Sequence, residues 1–475
     1  MRHARSLPRG ATLVLAGCAL CACALGPDYK PPVPPAGATA PLVSVDPALE
    51  TAAEPPDAWW RLYEDPLLDR LVTQAFAANR DLATAEANLS AARAALEGAR
   101  NGLYPQTTVN LGAKYGRDAI TDEILELNGH KPQTIWIFDD IFDVSYELDL
   151  FGHVRRQVEA AHADADAAAA SRDAVRITVA AETTRAYAQV CALGEELAVA
   201  RRSVEVTAHE AEIARQRLRL GAGTDFDVVR AEQVQAQASA AVPPLEGQRR
   251  AALFQLTALL GRTPSQAVTE AEACVVPPRL QAPLPVGDGA SLLRRRPDVR
   301  LADRRLAAAT ARIGVATAEL YPRITLTGLY GGVSPALNQL GTNAGLTWGV
   351  GPEINWSFPN MAGPRARLRA ARANEAASLA TFDATVLQAL KEAEQSLAVY
   401  GAELDHRRAL GEALDKARRA FDMAHGQFAA GSTSTLDTLT SEQALVTADA
   451  QVAASDATLA QDQIAVFKAL GGGWR

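Results

Sequence analysis

The sequence predicts a mixed, mostly α-helical fold in which long coiled-coil helices are combined with four β-strands and the whole plan occurs twice. Three observations support this prediction. Apolar residues recur at alternating steps of three and four, short segments alternate apolar and polar residues, and landmarks of the first half return in the second. In "ELYPRITLTGLYGG", starting at Glu319, the helical pattern changes to a strand pattern at Pro322, because proline cannot continue a helical ladder.

The composition of the 475-residue chain favours helices that pack closely. Apolar residues make up 48% and alanine supplies many of them, whereas aromatic residues make up only 5%. A large globular core ordinarily uses bulkier side chains than these. The formal net charge is -8, and no basic stripe interleaved with aromatic residues is present. The sequence therefore predicts no nucleic-acid partner.

The N-terminus has the pattern of a lipoprotein signal peptide. The basic segment "MRHARSLPRG" precedes the apolar run "ATLVLAGCALCAC". "LAGC", ending at Cys18, is the better match to a cleavage box, whereas Cys23 leaves a fuller apolar segment before it. We predict that residues 1–22 are removed and that Cys23 is lipidated, with Cys18 as the alternative. An ordinary secretory signal with incidental cysteines is a further interpretation.

Two more cysteines, Cys191 and Cys274, lie far apart in different kinds of sequence. Their spacing does not indicate a disulfide framework. No segment after the signal approaches the ~20 continuous apolar residues of a membrane helix, so any membrane insertion is expected to use strands or lipid.

The mature chain contains two copies of one plan. "NRDLATAEANLSAARAALEGARNGLYP" aligns with "RPDVRLADRRLAAATARIGVATAELYP" at an offset of about 217, and "LRLGAGTDFDVVRAEQ" aligns with "FAAGSTSTLDTLTSEQ" at about 210. The second alignment pairs Asp227 with Asp437 and Glu232 with Glu442. We divide the chain into the signal (1–22), an N-terminal extended segment (23–58), repeat 1 (59–265), a Pro-rich linker (266–290) and repeat 2 (291–475).

Each repeat is predicted to begin with a helix that belongs to a coiled coil. In repeat 1 the apolar stripe runs without a break from Leu68 to Ala99 in nearly five heptads. A period of 3.5 residues keeps such a stripe straight only if helices wrap around each other in a left-handed supercoil. The next helix is predicted from about His153 to Leu220, which corresponds to a length on the order of 100 Å.

Each long helix is predicted to end in a tight helical hairpin, with tips near Gly221 and Gly431. Glycine is the usual residue just past a helix end, and the following "GTDFD" and "STSTLD" offer N-caps for the returning helices. The tips carry small, polar and acidic residues rather than a catalytic set. Asp225 and Asp227 are interpreted as helix caps or as part of a cation-attracting ring.

Four segments alternate apolar and polar residues as strands do, at about 106–117, 139–150, 322–331 and 346–357. Strands of about 10 residues with one apolar and one polar face are typical of an outer-membrane barrel, and a soluble sandwich is the alternative. Four strands cannot close a wide barrel, and open edges in lipid would leave backbone groups unpaired. The chain is therefore expected to join copies of itself or to pack its strands in another way.

Several motifs together resemble the TolC-like outer-membrane factors, in particular their OprM- or NodT-type lipoprotein branch. They are "CALGPDYKPP", "WWRLYEDPLLDRLVTQAFAANRDL", the paired "LYP" turns, "YELDLFG", "AGSTSTLDTLTSEQ" and "KALGGGWR". The resemblance covers nearly the whole mature chain. Its family register places the lipidated cysteine at Cys23. The chain departs from the family in its three signal-region cysteines and in "TSEQ", where the family tends to have alanine before the glutamine.

The resemblance implies a homotrimer whose helices form an α-barrel across the periplasm and whose strands form one shared transmembrane β-barrel. It implies an exit duct, lipid-anchored in the outer membrane of a Gram-negative bacterium, that works with a periplasmic adaptor and an inner-membrane pump of the RND type. The family's adaptor-docking, gate-forming end corresponds here to Leu218, Gly221, Asp225, Asp227, Gly431, Leu436 and Asp437.

The sequence predicts neither an enzyme nor a bound cofactor. The seven histidines show no metal-ligand spacing, and neither a phosphate-binding loop nor a nucleophile elbow is present. A lipid-anchored structural coiled-coil protein of the envelope and a stand-alone diffusion porin are the alternative functions. The first would not need strands with a polar face, and the second would not need long helices. The exported solute is not encoded in any recognisable motif.

Overall fold

The computed structural model of the chain consists of two compact units, each assembled from three stretches of sequence. Unit 1 takes its residues from Met1–Pro32, Leu89–Ala167 and Ala302–Phe382, and unit 2 from Val33–Asn88, Ala168–Leu301 and Asp383–Arg475. The structure describes residues 24–45, 50–117, 122–123, 126–127, 129, 131–280, 283–343, 345–430 and 432–472.

Unit 1 contains a four-stranded antiparallel sheet. Its strands, which pair in the order of the sequence, are β1 (Gln106–Gly116), β2 (Ile135–Glu147), β3 (Arg323–Ser334) and β4 (Leu346–Asn355). Each strand pair that is adjacent in this order makes a regular hydrogen-bonded ladder, and β1 and β4 each have one neighbour. The sheet of a single chain therefore has two open edges.

The register of the sheet places large apolar side chains in one row. Val109, Phe142, Tyr330 and Trp348 are directly paired across the four strands, and their exposed fractions are 64%, 42%, 62% and 70%. The opposite face carries polar groups, among them Asn110, whose amide donates to Asp143 on the neighbouring strand at 2.7 Å. The two-faced pattern expected from the sequence is thus present.

The second strand lies earlier in the chain than the predicted 139–150. It begins at Ile135 because "IWIF" continues the pairing with β1 as far as Gly116. It ends at Glu147 because Asp149 leaves the ladder, where its carboxylate accepts from the backbone N–H groups of Val154 and Arg155 at 3.0 and 2.9 Å. These bonds satisfy the free donors at the start of the following helix.

Eight α-helices account for most of the remaining described residues. They are α1 (Pro66–Ala78), α2 (Arg80–Asn101), α3 (His153–Arg219), α4 (Asp225–Leu259), α5 (Gly289–Arg295), α6 (Pro297–Ala318), α7 (Ala362–Ala429) and α8 (Thr435–Ala469). The helices α3 and α7 have 67 and 68 residues, so each is about 100 Å long at 1.5 Å per residue. Within the described ranges no helix is both long enough and apolar enough to cross a bilayer.

The prediction of one unbroken helix from Leu68 to Ala99 is wrong. The chain leaves the helical conformation at Asn79, whose side chain accepts from the backbone N–H groups of Asp81 and Leu82 at 2.9 and 3.1 Å and so caps α2. A corresponding break at Arg296 separates α5 from α6. An apolar stripe records which side chains are buried, but a side-chain cap can interrupt the backbone without disturbing that stripe.

The core of unit 2 joins the short 3-10 helix Trp59–Tyr63 to α8. Trp59 is fully buried and stacks on Phe467 of α8 with ring centroids 4.7 Å apart. Trp60 and Tyr63 pack edge-on against Trp59 at 6.2 and 6.3 Å. The short 3-10 helix that contains these three aromatic residues therefore packs against α8, although the two are distant in sequence.

Cys191 and Cys274 form a disulfide in unit 2, contrary to the expectation from their spacing. Cys191 is fully buried within α3, and Cys274 lies in the linker that follows α4. Arg249 of α4 holds the linker in the same place, since its guanidinium donates to the carbonyl oxygens of Glu272 and Cys274 at 2.5 and 2.9 Å. Gly194 permits this approach, because a Cβ there would lie 2.5 Å from the Cys274 carbonyl oxygen.

Candidate functional site

The first hairpin tip joins α3 to α4 and contains four of the predicted site residues. Gly221 has φ +74°, a left-handed conformation that ends α3 and that other residues adopt with strain. Leu218 lies in the last turn of α3 and is 37% exposed. Asp225 and Asp227 lie in the first turn of α4, where carboxylates favour the positive end of the helix dipole.

Asp227 forms a capping box with Thr224. The Thr224 hydroxyl accepts from the Asp227 backbone N–H at 3.3 Å, and the Asp227 carboxylate accepts from the Thr224 N–H and hydroxyl at 3.0 and 2.7 Å. These hydrogen bonds to Thr224 lower the pKa of Asp227, because they favour the ionised carboxylate. Asp227 therefore stabilises the start of α4, whatever further part it has at the tip.

The second tip repeats this arrangement at the start of α8. The Ser434 hydroxyl accepts from the Asp437 N–H at 3.2 Å, and the Asp437 carboxylate accepts from the hydroxyls of Ser434 and Thr433 at 2.6 and 3.1 Å. These contacts lower the pKa of Asp437. Gly431 lies outside the described residues, and so does the side chain of Leu436, whose backbone is in the first turn of α8.

The first tip also exposes apolar side chains that the sequence analysis did not select. Leu220, Phe226 and Val229 are 82%, 71% and 57% exposed. Large exposed apolar side chains close together are characteristic of surfaces that bind another protein. The sequence could have indicated them, because large apolar residues stand out in a segment that is otherwise made of small and polar ones.

The N-terminal strap, residues 24–32, is fixed to the rest of unit 1. The Leu25 N–H donates to the Phe151 carbonyl at 3.1 Å. The Arg156 guanidinium donates to the Leu25 carbonyl at 3.1 Å and to the Asp28 carboxylate at 2.7 Å. Cys18 and Cys23 themselves lie outside the described residues, and the described chain begins at Ala24.

Glycines allow the strap to approach α6 closely. Gly26 has φ +96°, and a Cβ at this residue would lie 2.5 Å from the Cα of Gly314. Further along, the Tyr29 hydroxyl contacts the Asp303 carboxylate, and burial together with this carboxylate raises the pKa of Tyr29. The residues that directly follow Cys23 therefore have a defined binding surface.

Replacement of Arg156 by alanine is expected to release the strap. The change removes hydrogen bonds between a charged donor and the strap, each with a value of about 1.5–3 kcal/mol. Protection of the Leu25 amide against hydrogen exchange should fall roughly tenfold or more. Arg312→Ala is the matched control, since the Arg312 guanidinium pairs with the Asp164 carboxylate at 2.5 Å. Equal protection of Leu25 in both variants would contradict the assignment.

Comparison with known proteins identifies the family. Residues 71–262 and 290–472 match the family described as outer membrane efflux protein. The pyoverdine export outer membrane protein OpmQ of Pseudomonas aeruginosa is 30% identical over 88% of this chain and 87% of its own length. The probable outer membrane lipoprotein SilC of Salmonella typhimurium is 28% identical over 97% of both chains.

The fold also matches that of solved outer-membrane channels. The structure of the outer-membrane channel OprN superposes with a TM-score of 0.87 at 33% identity, covering 95% of this chain and all of that one. The predicted resemblance to TolC-like outer-membrane factors is therefore confirmed, and so is the mostly helical fold with some strands. These matches extend over nearly the whole length of both chains. The chain belongs to the outer membrane efflux protein family, a family of transport channels rather than enzymes.

Proposed function

We propose that three copies of this chain form the exit duct of a tripartite efflux system. The family works in the outer membrane with an adaptor and an inner-membrane pump. The observation on which the trimer rests is the sheet of unit 1, with its exposed apolar row and two open edges. In a bilayer, unpaired edge groups cost several kcal/mol each, so in the proposed trimer β1 of one copy would pair with β4 of another.

Pairing between copies would close the strands into a transmembrane β-barrel. Three copies of four strands give twelve, an even number within the range of outer-membrane barrels. The apolar row that contains Phe142 and Trp348 would face lipid, and the face that contains Asn110 and Asp143 would line an aqueous lumen. The strands have 10 to 13 residues, which matches the span of tilted strands in an outer membrane.

The helices would form the periplasmic part of the duct. A helix of about 100 Å, such as α3 or α7, has the reach to cross an aqueous compartment. Residues Leu82, Leu89 and Leu96, spaced by seven, are all buried, as supercoiled packing requires. The breaks at Asn79 and Arg296 are 217 residues apart, the offset of the first sequence alignment, which supports the proposal that the two halves arose by duplication.

The hairpin tips would dock the adaptor and form the gate. For this role we propose Leu218, Gly221, Asp225, Asp227, Gly431, Leu436 and Asp437, to which the structure adds Leu220, Phe226 and Val229. Support comes from the exposure of the apolar residues of the first tip. The capping bonds of Asp227 and Asp437 have a structural role that is compatible with docking, because capping leaves the outer surface of the tip free.

Lipidation at Cys23 would place the acyl chains at the end of the bound strap. Ala24 directly follows Cys23, and its neighbour Leu25 is held by Phe151 and Arg156. Lipidation at Cys18 would leave five further residues between the lipid and Ala24. The strap supports Cys23, because a short connection keeps the lipid beside the surface to which the strap binds.

The test is export by a deletion strain that is complemented with variants. The wild-type chain should restore resistance to the solutes of the partner pump. Leu218→Glu places a charge on the apolar part of the first tip and should restore at least tenfold less resistance. Gln237→Glu adds the same charge to an exposed residue further along α4 and should restore wild-type resistance. Full resistance without any copy of the gene would overturn the proposed function.

A further inference from the structure

The second hairpin contains a buried glutamate, one of whose carboxyl oxygens has no hydrogen-bond partner among the described residues. Glu442, in α8 two turns beyond the cap of the helix, is 7% exposed. Its Oε2 atom is buried and has no hydrogen-bond partner in the described part of the chain. Burial raises the pKa of Glu442 to about 7, because removal from water disfavours the ionised form.

The equivalent carboxylate of the first hairpin is paired. The alignment of the two hairpins matches Glu442 with Glu232 and, at the same offset, His425 with Arg215. Arg215 contacts Glu232 at 2.9 Å and Glu212 at 3.3 Å. Arginine is a permanent cation, whereas histidine is a cation only when protonated. The second hairpin has therefore lost a permanent charge that its counterpart retains.

The contacts of α8 with its neighbours locate Glu442 between two helices. Successive contacts of α3 with α8 are Glu182–Lys468 at 3.0 Å, Gln189–Gln461 at 3.0 Å and Arg202–Asp449 at 3.9 Å. Continuing this antiparallel register places Glu442 opposite the turn of α3 that contains Thr207 and Ala208. Contacts of α7 with α8 include Tyr400–Gln463 at 3.2 Å and Arg407–Asp456 at 2.6 Å.

The same extrapolation along α7 places Glu442 opposite the turn that contains Ala417 and Phe421. These residues are less exposed than the charged residues beside them, so the turn of α7 opposite Glu442 presents apolar side chains. His425 lies one turn beyond Phe421 on the same side of α7. The charged or titratable side chains at this level of the three helices are Glu205, His209, Glu210 and Glu212 on α3, Arg418, Arg419, Asp422 and His425 on α7, and Asp437 on α8. Glu212 is already paired with Arg215 and Arg219.

We propose that Glu442 is a proton-operated latch at the end of the second hairpin. When protonated, Glu442 lets α8 pack against α3 and α7. When it loses its proton, a charge without a partner lies between these helices and loosens their packing. The consequence, that the second tip opens more readily above neutral pH, rests on the proposed function, but the latch itself does not.

The direction of the pH effect follows from proton binding. The unfolded carboxyl loses its proton near its ordinary pKa of 4.5, whereas the packed one keeps it until about 7. Between these values the packed state binds more protons than the open state, so its stability falls as the pH rises. Above the pKa of the packed carboxyl both states are ionised and the stability of the packing no longer changes.

Hydrogen exchange of the full-length protein in detergent tests the latch without any transport assay. Protection is obtained by comparing the observed exchange rates of peptides that cover the start of α8 with the intrinsic exchange rates at each pH from 5.5 to 8.5. Protection in the wild type should fall tenfold or more between pH 5.5 and about 7 and level off above it, and Glu442→Gln should remain protected throughout. Glu232→Gln, the matched change in the first hairpin, should keep the wild-type profile in α8.

A second variant restores the missing cation. His425→Arg gives the second hairpin the arginine that the first one has, so the pH at which protection stops falling should move at least one unit lower. This variant also serves if Glu442→Gln does not fold. A wild-type profile that is flat, or that Glu442→Gln reproduces, overturns the latch. A wild-type pH profile in His425→Arg overturns the assignment of position 425. Since export is not measured, none of these outcomes depends on the duct.

Discussion

Replacement of both Cys191 and Cys274 by serine is expected to lower the free energy of unfolding of unit 2 by about 4.5 kcal/mol. The disulfide closes a loop in which the two cysteines are 83 residues apart and which contains the whole first hairpin tip. A crosslink acts mainly on the unfolded chain, whose conformational entropy it reduces, and the effect grows with the length of the loop. Because the loop is long, the disulfide is expected to be one of the largest single contributions to the stability of the folded protein.

The loss is measured as the shift of the denaturation midpoint at a fixed protein concentration, followed by circular dichroism of the helices. A reducing agent should lower the midpoint of the wild type to that of the double variant, and should leave the double variant unchanged. Arg249 still holds the linker after reduction through the Glu272 and Cys274 carbonyl oxygens, so the hairpin should stay folded. Two titratable thiols in the native, unreduced protein would contradict the assignment.

This disulfide shows what the sequence could not supply. Pairing of cysteines depends on how the linker after α4 returns along α3, which is a matter of tertiary structure. Gly194 and Arg249 make that return possible, but neither is recognisable in the sequence as part of a linker site. The spacing of Cys191 and Cys274 alone resembled that of two unrelated free cysteines.

Features with a local cause were predicted well. The strand pattern after Pro105 and Pro322 was correct because proline and strict alternation act within a few residues. The end of α3 before Gly221 and the N-cap of α8 within "STSTLD" agree with the sequence, because glycine and capping residues stop and start helices locally. The second predicted tip, Gly431, lies outside the described residues. The leucines of the apolar stripe are buried as predicted, but the stripe could not indicate the break at Asn79, where a polar side chain replaces a backbone bond.

The sequence predicted the position of the first tip, but not which of its apolar side chains are exposed. The resemblance directed attention to the matching motif residues, so Leu218 and Asp227 were selected and the exposed Phe226 was not. The unpartnered state of Glu442 was equally hidden, since in the sequence it is an ordinary glutamate aligned with Glu232. The difference lies in residue 425, where histidine stands in place of the arginine that pairs with Glu232 in the first hairpin.

Replacement of Trp59 by alanine is expected to destabilise unit 2 by about 3–5 kcal/mol, the usual range for a large buried aromatic residue. Trp59 is fully buried, stacks on Phe467 and supports Trp60 and Tyr63. Gly472 closes the site, since a Cβ there would lie 2.9 Å from the Trp59 ring. Truncation would therefore leave a cavity between the 3-10 helix and α8, with little freedom for neighbouring side chains to fill it.

Trp59→Phe separates packing from hydrogen bonding. The Trp59 Nε1 atom is buried and has no hydrogen-bond partner among the described residues, so phenylalanine removes a polar group that gains nothing in the folded state. Its ring can still stack on Phe467, and the loss should be well below that of alanine. The denaturation midpoints of both variants, followed by circular dichroism, show whether the phenylalanine variant loses less stability than the alanine variant. Equal losses would mean that the shape of the indole ring, rather than the buried volume, stabilises the contact between the 3-10 helix and α8.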